Sequence, residues 1–125
     1  MTRPRTTLLL ILTVIALAGC EREKVKVAKS LTGGDPHRGE LAIQSYGCAS
    51  CHTIPGIRGA NALVGPPLTQ VGGRTYIGGV LQNTPANLIR WIQDPPAVDA
   101  KTAMPNLHVT ETDARDIATY LYTLQ

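Results

Sequence analysis

Cys48-Ala49-Ser50-Cys51-His52 is the stretch of this chain best equipped for chemistry. Two thiols separated by two residues can each add to one of the two vinyl groups of a single porphyrin, and the imidazole that follows then falls beneath the iron. The spacing specifies covalent attachment of one haem, with His52 as its proximal ligand. Zinc sites and thiol redox pairs also use Cys-x-x-Cys. A zinc site would call for a second cysteine pair or His-x-x-x-His, and a redox pair for a surrounding βαβ pattern, and the sequence offers none of these.

What occupies the opposite face of the iron decides what such a group does. The methionines are Met1 and Met104, and Met1 falls in a leader segment. Met104 lies in Thr102-Ala103-Met104-Pro105-Asn106-Leu107, where a loop between two helices can turn a side chain inward. It is the expected distal ligand, in preference to His37 and His108, which are expected at the surface. With His52 and Met104 both bound, no iron position is open to a substrate, so the expected activity is one-electron carriage and not enzymatic catalysis.

Composition agrees with a domain built around a prosthetic group. There are no Phe, one Trp and four Tyr in 125 residues, so a single small domain lacks its usual large core fillers. A buried porphyrin would supply that bulk. Residues 1–19 read as a lipoprotein signal peptide: Arg3 and Arg5 form a basic start, residues 8–18 an apolar run, and Leu17-Ala18-Gly19-Cys20 resembles a lipobox with Cys20 as the lipidation site. The apolar run is shorter than the roughly 20 residues of a membrane span. Residues 20–34 have little apolar periodicity and end in Gly33-Gly34, which suggests a lipid-anchored flexible tether. Residues 35–125 form the haem domain. Arg22, Lys24, Lys26 and Lys29 would lie near anionic headgroups or in a solvated linker. From residue 31 onward there are six basic and seven acidic side chains, which argues against nucleic acid as a partner.

The elements that must position these groups have local markers. Asp35-Pro36 is a cap followed by proline at the first helical position, opening a helix that runs to Tyr46 just before Cys48. The Gly/Pro-rich stretch 55–79 predicts loops, with a short helical turn near residues 76–81 and no strand pair. Thr84-Pro85 opens a second helix, with Leu88, Trp91 and Ile92 on one face, which Asp94-Pro95-Pro96 stops. Thr110 with Asp113 caps the last helix, whose apolar stripe is Ala114, Ile117, Ala118, Leu121 and Leu124.

Taken together, Cys48-Ala49-Ser50-Cys51-His52, Gly65-Pro66-Pro67-Leu68, Gly73-Arg74, Trp91-Ile92-Gln93-Asp94-Pro95, Met104-Pro105 and Asp116-Ile117-Ala118-Thr119-Tyr120-Leu121 resemble the class I cytochromes c, over residues 39–124. The resemblance implies an all-α fold, three main helices and Gly/Pro-rich loops wrapped around one covalently bound haem c. It implies that the Pro66 carbonyl accepts the proximal imidazole's Nδ1–H, that Arg74 lies near a haem propionate, and that Trp91 packs over the haem near the methionine. It also implies that Gly39 and Tyr120 meet where the first and last helices cross. One departure matters: from residue 31 onward Lys101 is the single lysine. Docking is therefore expected to use an apolar patch around the haem edge instead of a ring of positive charge.

The resulting expectation is a monomeric monohaem c-type cytochrome of a bacterial respiratory chain, passing electrons toward a terminal oxidase. It would be held by lipidated Cys20 on the periplasmic side of the inner or the outer membrane. Its partners would be redox proteins, an electron donor and a terminal oxidase or dehydrogenase. The alternatives are a fixed haem relay subunit of a periplasmic dehydrogenase or oxidase complex and, less favoured, a ligand-binding haem protein such as a gas sensor or peroxidase.

Overall fold

The computed structural model describes residues 19–125. The expected signal peptide, Gly19 apart, lies outside the described residues. Helix α1 covers residues 19–32 and is followed by α2 (Pro36–Ser45), α3 (Pro85–Gln93), α4 (Pro95–Val98) and α5 (Glu111–Thr123). Single 3-10 turns lie at Cys48–Ser50 and Val71–Gly73, and β1 (Tyr76–Ile77) pairs antiparallel with β2 (Leu81–Gln82). Among the described residues no helix is long and apolar enough to cross a membrane. The architecture is the expected all-α one.

Helix starts follow from local chemistry. The Asp35 carboxylate accepts from the N–H groups of His37 and Arg38, at 3.0 and 3.2 Å, satisfying donors that the first turn leaves orphaned. Thr84 does the same for Asn87 at 3.2 Å, and Thr110 for Asp113 at 3.1 Å. Asp94 both ends α3 and caps α4, its side chain accepting from the Ala97 N–H at 3.3 Å. The expected stop is thus also a start.

The helix crossing that frames the core depends on an absent side chain. A Cβ on Gly39 of α2 would lie 2.1 Å from the Asp116 carbonyl oxygen and 3.0 Å from the Tyr120 Cβ of α5. Only glycine lets the two backbones approach so closely. The Asp116 carboxylate, 2% exposed, clasps the same crossing by accepting from the Asp35 N–H at 2.7 Å and from Arg38 Nε and Nη2 at 2.7 and 2.9 Å. Ala114, Ile117, Ala118 and Leu121 form the buried stripe of α5, facing Ala42 and Ile43 of α2 and Leu88, Ile89 and Ile92 of α3.

Two expectations are corrected. Residues 20–34 are not an irregular tether, for α1 runs to residue 32 and docks on α5. Ala28 is buried, the Thr32 and Thr119 hydroxyls bond to each other, and Arg115 Nη1 donates to the Thr32 carbonyl at 3.1 Å. Nor do residues 76–81 form a helical turn: Gly78 and Gly79, at φ of 55° and 75°, turn the chain back so that Ile77 faces Leu81. Positive φ at two consecutive residues is what tight antiparallel turns demand, and glycine supplies it without strain.

Candidate haem site

Gly47 adopts a left-handed conformation (φ 70°) that ends α2 and turns the chain into the Cys48–Ser50 turn. The N–H groups of Cys51 and His52 both return to the Cys48 carbonyl, at 3.2 and 3.1 Å. The two thiols and the imidazole are thereby wound onto one side of a tight turn, and all three line the same cavity. Burial pushes the Cys48 thiol up from its ordinary value, with the neighbouring Cys51 thiol adding to the effect.

The cavity has a volume of about 600 Å³, within the range that holds drug-sized and cofactor-sized groups. Ile43, Leu88, Ile92, Ile117 and Leu121 bring the apolar faces of α2, α3 and α5 to its walls. Met104 and Pro105 lie in the wall supplied by the loop that precedes α5. The Met104 N–H donates to Thr102 Oγ1 at 3.2 Å, which fixes the loop's course. Of the competing histidines, His37 and His108 are exposed and neither lines the cavity.

The imidazole of His52 is held from two sides. Nδ1 lies 2.7 Å from the Pro66 carbonyl, so Nδ1 carries the proton as donor and Nε2 is left with its lone pair. Gly65 leaves room for the ring: a Cβ there would sit 2.5 Å from His52 Cε1. The loop is itself pinned, the Gly65 N–H donating to the Cys51 carbonyl at 2.7 Å and the Leu68 N–H to the Thr53 carbonyl at 2.8 Å.

Arg74 and Trp91 also reach the cavity. The Arg74 guanidinium donates to the carbonyls of Pro67 and Thr69, the latter at 2.8 Å, so it ties the loop after Pro66 to the 3-10 turn. Trp91 packs under the hairpin tip, where a Cβ on Gly78 would come within 2.8 Å of its ring. Next to Gly65, Leu63 and Val64 are 79% and 80% exposed, and Val64 borders the cavity. They present exposed apolar surface next to Gly65. Cys20 is exposed on α1 and takes no part in the cavity.

A wall residue without a sequence marker is Asn83, whose amide bridges three segments. Nothing in its local sequence distinguishes it from an ordinary polar residue before a helix cap.

Cavity size, apolar walls, paired thiols and an imidazole with its free nitrogen selected all fit a covalently bound porphyrin. Among the described residues no three His, Cys, Asp or Glu side chains converge as metal ligands, which leaves zinc without a ligand set.

Comparison with known proteins gives the same answer. The family model described as Cytochrome c matches residues 37–125. The chain is 31% identical over 90 residues to a cytochrome c oxidase subunit 2 of Alkalihalophilus pseudofirmus, covering 71% of this chain and 25% of that protein. It is likewise 31% identical over 109 residues to a cytochrome c oxidase subunit 2 of Bacillus sp. (strain PS3), covering 82% of this chain and 30% of that one. The chain thus spans between a quarter and a third of the length of these curated relatives. No solved structure gives a significant match.

Proposed function

The chain belongs to the cytochrome c family and binds haem c through Cys48, Cys51 and His52, and from that premise we propose that it passes single electrons to a terminal oxidase. The observation that carries the reading is the shared cavity, with His52 in one wall and Met104 in another. When bound, haem c supplies a one-electron couple at its iron. His52 would bind the iron through Nε2, because Pro66 keeps the proton on Nδ1. Met104 would be the second protein ligand through its thioether, making the protein a carrier and not an enzyme. The apolar faces of α2, α3 and α5 keep water away, which together with the thioether favours the reduced form and a fairly positive potential.

Docking would use the exposed Leu63 and Val64 beside the cavity mouth, an apolar patch suited to brief contacts with an electron donor and acceptor. Lipidation of Cys20 would hold the protein, as a monomer, at the periplasmic face of a bacterial membrane. A second reading, a fixed relay subunit of an oxidase complex, is favoured by the names of the relatives, both oxidase subunits.

The reading is tested on the purified holoprotein. A pyridine haemochrome with both vinyl groups saturated, a reversible one-electron titration and no carbon monoxide uptake by the native reduced protein at neutral pH are expected. Rapid carbon monoxide binding would overturn it in favour of a ligand-binding haem protein. Extraction in detergent as a stoichiometric complex, instead of a monomer exchanging electrons with several partners, would select the relay.

A further inference from the structure

Asn83 stands between β2 and the Thr84 cap of α3, on the wall of the cavity. Its Nδ2 donates to the carbonyls of Val71 at 2.8 Å and Arg74 at 2.9 Å, and its Oδ1 accepts from the Tyr122 hydroxyl at 2.9 Å. Its own N–H donates to the Thr75 carbonyl at 2.9 Å. Two carbonyl acceptors and one hydroxyl donor fix which way the amide faces, since only the nitrogen can serve the carbonyls. Burial pushes the Tyr122 phenol up, so it keeps the proton it donates.

The second carbonyl that Asn83 holds belongs to Arg74, the cationic side chain of this wall. Arg74 is therefore clamped at both ends, its backbone by Asn83 and its guanidinium by the carbonyls of Pro67 and Thr69. A charge fixed beside a redox group acts on its potential, whereas one free to swing into water is screened.

We propose that Asn83, oriented by Tyr122, is a positioning residue that holds the Arg74 guanidinium at the cavity wall and so raises the reduction potential of the bound haem. The proposal rests on the electron-transfer reading above. A fixed positive charge opposes the extra positive charge of the oxidised state. Releasing it lowers the potential.

The test is potentiometry of the full-length holoprotein across neutral pH, with spectra taken alongside. Asn83→Ala and Arg74→Gln are each expected to lower the midpoint potential, without loss of the wild-type ligation spectrum. In the Arg74→Gln background, Asn83→Ala is expected to add nothing. Tyr122→Phe, which removes one hydroxyl and keeps the packing, is expected to shift the potential in the same direction by less, and it carries the test if Asn83→Ala does not fold. An unchanged potential in correctly ligated Asn83→Ala or Tyr122→Phe protein overturns the proposal, as does an Asn83→Ala shift that persists undiminished without Arg74. Failure of the underlying reading looks different: wild-type protein would itself show no reversible one-electron couple.

Discussion

Gly65 lies so close to His52 that a single added carbon would stand 2.5 Å from the imidazole Cε1. The space it leaves lets the ring lie against the Pro66 carbonyl that selects its tautomer. Gly65→Ala is expected to tilt the imidazole and weaken that hydrogen bond. Absorption and magnetic circular dichroism spectra of the holoprotein should show a reduced low-spin fraction, and the yield of attached haem should fall. Wild-type spectra and yield would mean that the loop gives way instead of the ring.

At the α2–α5 crossing, Gly39→Ala forces a methyl group against the Asp116 carbonyl, which belongs to a helix backbone and cannot rotate away. Overpacking of this kind costs about 1–3 kcal/mol. Urea unfolding should show a lower midpoint at unchanged slope, while Gly73→Ala, where nothing lies within 4 Å, should leave the midpoint near wild type.

Met104→Ala is expected to abolish the near-infrared band of sulfur-to-iron coordination, lower the potential and leave the iron open to added ligands. The reduced variant should then take up carbon monoxide rapidly. Retention of the band would remove Met104 from the scheme.

The junction between α1 and α2 responds to acid. Asp35 is held at about 2, below its ordinary 3.8, chiefly by the Lys29 side chain at 3.0 Å and then by the N–H of Arg38. A carboxyl depressed in the folded state contributes its stability fully above about pH 4 and loses it as pH falls toward 2. Lys29→Met should therefore be less stable than wild type at neutral pH, and the gap should close as the pH is lowered. A gap independent of pH, in urea unfolding followed by circular dichroism, would show that the ion pair does not couple to folding.

Much of this architecture is legible residue by residue. Asp35, Thr84 and Thr110 announce their helices because an N-cap is a contact over two or three residues. Cys48, Cys51 and His52 are legible because the chemistry of haem attachment dictates their types and spacing. The β1–β2 hairpin escapes because two-residue strands are too short to show alternation, and Gly78-Gly79 reads equally well as a loop. Helix α1 escapes because its docking relies on two small residues, Ala28 and Thr32, and on a partner 87 positions away in Thr119. Asn83 is invisible for the same reason, its orientation being decided by Tyr122, 39 residues later.

The docking of α1 changes how the protein would meet its surroundings. The fourteen described helical residues of α1, at 1.5 Å each, span roughly 20 Å and dock on α5 through Thr32. A load applied near Cys20 is transmitted to the haem-bearing body as a lever transmits it, whereas a loose string would absorb it. Were Cys20 lipidated as proposed, the anchor would set the compass bearing of the cavity through this helix, and encounters would become a matter of pivoting through an arc instead of sampling a sphere.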